Sequence, residues 1–241
     1  MQFSILLLSS SNVHGYGYLE YSRDVITRFL GGITTPLLFV PYAAGSNEWD
    51  SYTGKIRTFM ATLNIPVTGI HTIPAVDVPK YEAVFVGGGN TFRLLAKLQE
   101  IGLMQTLRHE VLAGNMKYMG SSAGSNMAGK TICTTNDMPI VYPKGGFDAL
   151  NLFPYQINPH YLDPETDSAH KGETRDQRIA EYHQENNTPV IGLREGAYLG
   201  IQPDFARTME MYIGGQPGAK IFEQGKAPYE AKDGQVLKFR S

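Results

Sequence analysis

Short apolar runs alternate with amphipathic stretches over the first two hundred residues, and this alternation most limits what the chain can fold into. Residues 3–8 read as a buried strand closed by three serines and an asparagine. Residues 18–30 read as a helix stopped at Gly31-Gly32, where glycine supplies a left-handed closing residue. Strands are expected at 37–40, 67–73 and 83–86, with a helix at 50–63 that sets Ile56, Phe59 and Leu63 on one face. Helices at 91–100 and 104–113 follow, then a strand at 117–120, a helix at 174–186 and a strand at 190–193. Strands separated by helices pair in parallel and form a layered α/β sheet. The last forty residues are glycine-rich, with alternating segments at 208–213 and 235–239, and read as antiparallel strands added at one edge. At 241 residues, with no linker or repeat, the expectation is a single α/β domain spanning 1–241.

Composition excludes several function classes. The lone cysteine, Cys133, cannot close an internal disulfide, which suits a reducing compartment, and no secretory start is visible, so a cytoplasmic location is expected. No apolar run is long enough to span a membrane. A formal net charge of −2 with scattered basic residues leaves no footprint for nucleic acid. No histidine–carboxylate spacing suggests a catalytic zinc, and Gly87-Gly88-Gly89-Asn90 lacks the ends of nucleotide-binding motifs. Cys133 lies in Thr131-Ile132-Cys133-Thr134, which reads as a buried strand, and so as a small core residue.

Functional groups in open α/β sheets gather beyond the carboxyl ends of the strands. Two glycine-marked turns fall there. One is Gly120-Ser121-Ser122-Ala123-Gly124, of Gly-x-Ser-x-Gly form, in which Ser122 would be exposed on a tight strand-to-helix turn. The Ala123 N–H at the start of the next helix would face a developing oxyanion. The other turn, Gly87-Gly88-Gly89-Asn90, could supply a second donor from Gly89. Each turn, taken alone, also fits a purely structural bend. Serine needs a general base. Of six histidines, His160 follows Ile157-Asn158-Pro159, where proline would end a strand and leave the next residue on a carboxyl-end loop. A carboxylate should fix the imidazole tautomer. Glu195, after the strand at 190–193, fits that role, and Asp137 is its rival.

Taken together these segments resemble the peptidase E family of aspartyl dipeptidases. The matching runs are Phe85 to Phe92, Gly120 to Asn126, Thr134 to Ile140, Asn158-Pro159-His160, His170 to Arg175 and Gly192 to Gly196, in order. The resemblance implies a three-layer, flavodoxin-like fold similar to the class I glutamine amidotransferases, with no cofactor. It implies a Ser–His–Glu triad on Ser122, His160 and Glu195, a possible homodimer, and hydrolysis of dipeptides with an N-terminal aspartate through an aspartyl-enzyme ester. Ser121 departs from the pattern, since a bulky aromatic is expected there in bacterial members.

Thr174-Arg175-Asp176-Gln177 has capping-box form, which puts Arg175 in a first helical turn, where a cation opposes the helix dipole. The resemblance assigns the substrate's side-chain carboxylate to Arg175; the alternative is a solvated arginine paired with Glu173 or Asp176. Asn90 joins the substrate-binding candidates, and Asp137 is the candidate for the substrate's amino group or for a structural role. The loop containing His170-Lys171-Gly172-Glu173 could close over the substrate, or be ordinary surface. Two rival functions remain: the same triad acting on β-linked aspartyl polymers, as in a cyanophycinase-like relative, and a ligand-binding relative with a residual site.

Overall fold

Every residue of β1 (Ile5–Leu8), β2 (Leu37–Val40) and β4 (Ala83–Val86) is buried, as a parallel sheet covered on both faces requires. The computed structural model that contains them describes residues 4–164, 172–203 and 208–240. With β3 (Val67–Gly69) and β5 (Lys117–Ser121), these strands form a parallel set in the order β1-β5-β4-β2-β3. Successive side chains point to opposite faces. Leu6, Leu8, Phe39 and Phe85 pack against α1 (Arg23–Leu30) and α2 (Trp49–Ala61). Leu7, Val40, Val86 and Tyr118 face the other way, toward α3 (Thr91–Glu100), α4 (Leu103–Leu112) and the one-turn α5 (Ala123–Asn126).

A second, four-stranded sheet lies on that second face. In it β6 (Gln156–Tyr161) and β7 (Val190–Arg194) run parallel, and β10 (Ala219–Phe222) and β11 (Tyr229–Ala231) are antiparallel, in the order β11-β10-β7-β6. Ile157, Ile191, Leu193 and Ile221 share one core with Leu7 and Val86, so the two sheets are packed through side chains. α6 (Arg175–Glu185) covers the outer face, where Ile179 meets Tyr161, Val190 and Phe222. The first sheet continues past β1 with antiparallel β8 (Tyr198–Pro203), β9 (Thr208–Gly214) and β12 (Val236–Arg240), giving eight strands.

The layered α/β architecture with a parallel centre and antiparallel C-terminal strands agrees with the sequence expectation. The late strands do not all lie at one edge, however. The turn after β7 at Gly196, with φ +84°, carries the chain from the second sheet to the first, and the last strands divide between them.

Three local expectations are corrected. The helix expected from residue 18 begins at Arg23, because Leu19 adopts a left-handed backbone (φ 59°) and Glu20–Ser22 form a 3-10 turn. The strand expected over 67–73 ends at Gly69, and Ile70–Thr72, including His71, turn as a 3-10 segment before Pro74. Cys133 is exposed in a turn, not buried in a strand. Its neighbours Ile132 and Thr134 are the buried residues there.

Candidate active site

Ser122 stands where β5 ends and α5 begins, with φ 53° and ψ −112°. A non-glycine residue in this region stores roughly 1–3 kcal/mol and persists only where its surroundings hold it. The flanking glycines allow the bend. A Cβ on Gly120 would lie 2.5 Å from Gly124 O, and one on Gly124 would run into Val86 O. The Ser122 N–H donates to Leu8 O at 3.1 Å, fastening the elbow to β1.

His160 belongs to β6, which corrects the expectation that Pro159 ends the strand. Proline occupies the ladder opposite Leu193, the register then skips His160, and pairing resumes with Tyr161 opposite Arg194. Such a bulge re-aims a side chain. Here it gives His160 φ 53° and brings Nε2 to 2.9 Å from Ser122 Oγ. On the opposite side of the ring, Nδ1 lies 2.5 Å from Glu195 Oε1. With the proton on Nδ1, His160 donates to Glu195 and accepts the Ser122 hydroxyl hydrogen at Nε2. Glu195 occupies the turn between β7 and β8. The rival carboxylate, Asp137, is engaged elsewhere. The side chains of His160 and Glu195 are 37% and 46% exposed, so the pair faces solvent.

The N–H groups of Ala123 and Gly89 have no hydrogen-bond partner among the described residues. Gly88 N–H is also unpaired there, and a Cβ on Gly88 would lie 3.1 Å from Ser122 Cβ and 3.7 Å from Ser122 Oγ. Gly88 therefore stands against the nucleophile candidate, a proximity that the sequence reading did not single out. Unpaired backbone donors near a serine are groups that an oxyanion could use.

The candidate substrate-binding residues have different surroundings. Asn90 caps α3: its Oδ1 accepts from Arg93 N–H at 3.1 Å and its Nδ2 donates to Met138 O at 2.9 Å. Asp137 Oδ2 accepts from the N–H and hydroxyl of Thr91, while Oδ1 has no partner among the described residues. The capping box at Thr174 and Gln177 is present, at 3.2 and 2.7 Å, so Arg175 opens α6. Both carboxylates that could have paired with Arg175 are used by others. Glu173 lies 3.6 Å from Arg178, and Asp176 accepts from Lys220 at 2.7 Å and from the Tyr161 hydroxyl. Arg175 is half-buried and has no partner among the described residues. Burial, then the Arg178 charge, holds its guanidinium below the ordinary arginine value.

The profile of peptidase family S51 matches residues 5–209. The chain belongs to that family. It is 47% identical to peptidase E of Streptomyces coelicolor, covering 97% of this chain and 93% of that protein. It is 45% identical to a probable alpha-aspartyl dipeptidase of Drosophila melanogaster, over 91% and 90% of the two chains. Peptidase E of Escherichia coli O6:K15:H31 is 43% identical, over 94% and 97%. Among solved structures, a peptidase from an acI-B1 Actinobacterium superposes with a TM-score of 0.61 at 16% identity, covering 98% of this chain and 96% of that one. A putative peptidase E from Listeria monocytogenes gives 0.54 at 20% identity, covering 96% and 98%. These two show a shared fold.

Other expectations can be placed on this S51 peptidase. Ser121 is buried and meets Ser11 Oγ at 2.6 Å, so the missing aromatic concerns packing between the ends of β1 and β5. His170 and Lys171 of the expected lid lie outside the described residues. Among the described residues no group of three or more His, Cys, Asp or Glu could hold a metal, and no helix is long and apolar enough to cross a membrane.

A polar network behind the site was also missed. Asn126 of α5 donates to Ile157 O at 2.7 Å, as does the Thr134 hydroxyl. Asn158 donates to Thr134 O and Asn136 Oδ1, and Asn136 donates to Pro159 O. It ties the helix behind Ser122 to the strand that carries His160. Three of the matching sequence runs, spread over about forty residues, meet in it.

Proposed function

We propose that this chain is a serine-type alpha-aspartyl dipeptidase working through Ser122, His160 and Glu195. The observation that carries the reading is the continuous chain from Glu195 Oε1 to His160 Nδ1 at 2.5 Å and from His160 Nε2 to Ser122 Oγ at 2.9 Å. His160 takes the Ser122 proton as Oγ attacks the peptide carbonyl of the N-terminal aspartate, and Glu195 steadies the imidazolium. The N–H groups of Ala123 and Gly89 hold the oxyanion. His160 returns the proton to the departing amino acid. Water then cleaves the aspartyl ester by the same route, freeing aspartate and restoring Ser122.

Arg175 supports the acidic preference. It is half-buried and uncommitted among the described residues, and its planar fork matches a carboxylate. An Asn substrate would leave the guanidinium unpaired, and a Glu substrate would carry its carboxylate one methylene too far. The Oδ1 of Asp137, unpartnered among the described residues, suits the substrate's ammonium group, while the side chain of Asn90 shapes the neighbouring loop as a helix cap. Names of the relatives from Streptomyces and Drosophila agree with the activity.

The test is hydrolysis of Asp-Leu, Asn-Leu, Glu-Leu and N-acetyl-Asp-Leu by the wild type and by Ser122→Ala. Only Asp-Leu should turn over well, and only with Ser122 present. Equal cleavage of the acetylated peptide, or near-normal turnover without Ser122, would overturn the proposal.

A further inference from the structure

The serines that close β1 read as a turn in the sequence, yet Ser9 is fully buried. Its hydroxyl donates to Leu193 O at 2.7 Å and accepts the His160 N–H at 2.9 Å. Its own N–H donates to Ala197 O at 3.1 Å. The preceding residue, Leu8, accepts at its carbonyl from the Ser122 N–H at 3.1 Å and the Ser125 hydroxyl at 2.6 Å. Two consecutive residues therefore hold the serine elbow, the histidine bulge, and both sides of the turn containing Glu195.

The bulge makes this contact necessary. It removes His160 from the β6–β7 register, and Pro159, opposite Leu193, has no N–H to offer. A bulge leaves its extra residue unpaired in the ladder, and a buried backbone group without a partner is costly. One hydroxyl meets both demands, accepting from His160 and donating to Leu193. It also fixes the main chain at a residue with positive φ, so the imidazole keeps its reach to Ser122 on one side and Glu195 on the other.

We propose that Ser9 is a positioning residue for His160, setting the backbone of the bulge so that the imidazole engages Ser122 and Glu195 together. The proposal rests on reading those three residues as the catalytic triad. Ser9 acts through His160 and does not touch substrate.

Small misplacements of reacting groups cost large factors in rate, roughly 100-fold for about 1 Å. Ser9→Ala should therefore lower kcat on Asp-Leu by roughly 10- to 100-fold per titrated active site, with KM within about twofold. The rate of inactivation by a fluorophosphonate should fall by a similar factor, because that reaction needs the activated serine and not the aspartyl pocket. Ser9→Thr keeps the hydroxyl and should react faster than Ser9→Ala. If Ser9→Ala does not fold, Ser9→Cys, of similar shape with a weak donor, gives the same two readouts. Wild-type kcat per titrated site together with wild-type inactivation rate would overturn the proposal, whatever the change in melting temperature. A Thr variant no faster than Ala would also overturn it. Ser122→Ala is assayed alongside: full activity there would sink the triad reading, whereas its loss with Ser9→Ala unimpaired would sink only the role of Ser9.

Discussion

Asp137 Oδ2 accepts both the backbone N–H and the hydroxyl of Thr91, at 2.7 and 2.6 Å. Thr91 is the first residue of α3, so this carboxylate closes the helix end that follows the glycine loop. Asp137→Ala should lower stability by about 1–2 kcal/mol, the usual scale for losing a helix-end acceptor. If Oδ1 also binds the substrate's ammonium, KM for Asp-Leu rises as well. Urea denaturation read beside steady-state kinetics separates the two effects, and a stable variant with unchanged KM would remove Asp137 from both roles.

The left-handed backbone at Ser122 predicts a divergence between function and stability. Ser122→Ala should lose several orders of magnitude in kcat. Ser122→Gly should be equally inactive yet more stable than Ser122→Ala by about 1 kcal/mol, since glycine adopts positive φ without strain. Denaturation midpoints of the two variants check this, and equal midpoints would mean that the elbow stores no strain.

Glu195→Gln preserves shape but removes the charge that, in the proposed mechanism, stabilises an imidazolium. On the assigned geometry, kcat should fall by roughly 10²- to 10⁴-fold with little change in KM. A variant with near wild-type kcat on Asp-Leu would show that His160 works without it.

Arg175→Met should reduce kcat/KM for Asp-Leu by roughly 10²- to 10³-fold, the cost of losing a charge-assisted bidentate contact to a half-buried guanidinium. Discrimination against Asn-Leu should shrink in parallel. An unchanged Asp-Leu to Asn-Leu ratio would place the acidic preference elsewhere.

Arg194 grips Asp163 at 2.7 and 2.8 Å and Glu230 at 2.9 and 3.0 Å, joining the segment after β6 to β11. The hydrogen bonds from Arg194 to Asp163, and then the Arg194 charge, hold the Asp163 carboxyl below its ordinary value of 3.8. A carboxyl depressed in the folded state adds stability above its unfolded pKa and loses it as pH falls through the folded one. The stability gap between the wild type and Asp163→Asn should be present at neutral pH and close below about pH 4. Its small size follows from the exposure of Asp163. Thermal melts at intervals between pH 7 and 3 measure it, and a gap that stays constant would disprove the linkage.

Much of this was legible because β1, β2 and β4 are continuous apolar runs ended by turn residues. Ser122 was legible from its glycine frame. His160 was picked out for a reason the structure revises: Pro159 does not stop β6, because a bulge lets the strand continue past a residue with no N–H. Cys133 was misread because Thr131 and Ile132 have strand-forming side chains, while the chain there pairs only as an isolated bridge, Thr131 with Asp148. Ser9 was hidden because three successive serines signal a turn, and its partners lie 151 and 184 residues away. The pairing of Glu173 and Asp176 with Arg178 and Lys220 likewise required three dimensions.

Ser122 rides on the eight-stranded sheet, His160 on the four-stranded one, and Glu195 on the turn that passes between them. On the proposed reading, the site exists only where the two sheets meet. Turnover is thus a gauge of how the two sheets are seated. Because the two sheets share one core, side chains far from Ser122 that set their packing also set its distance to His160.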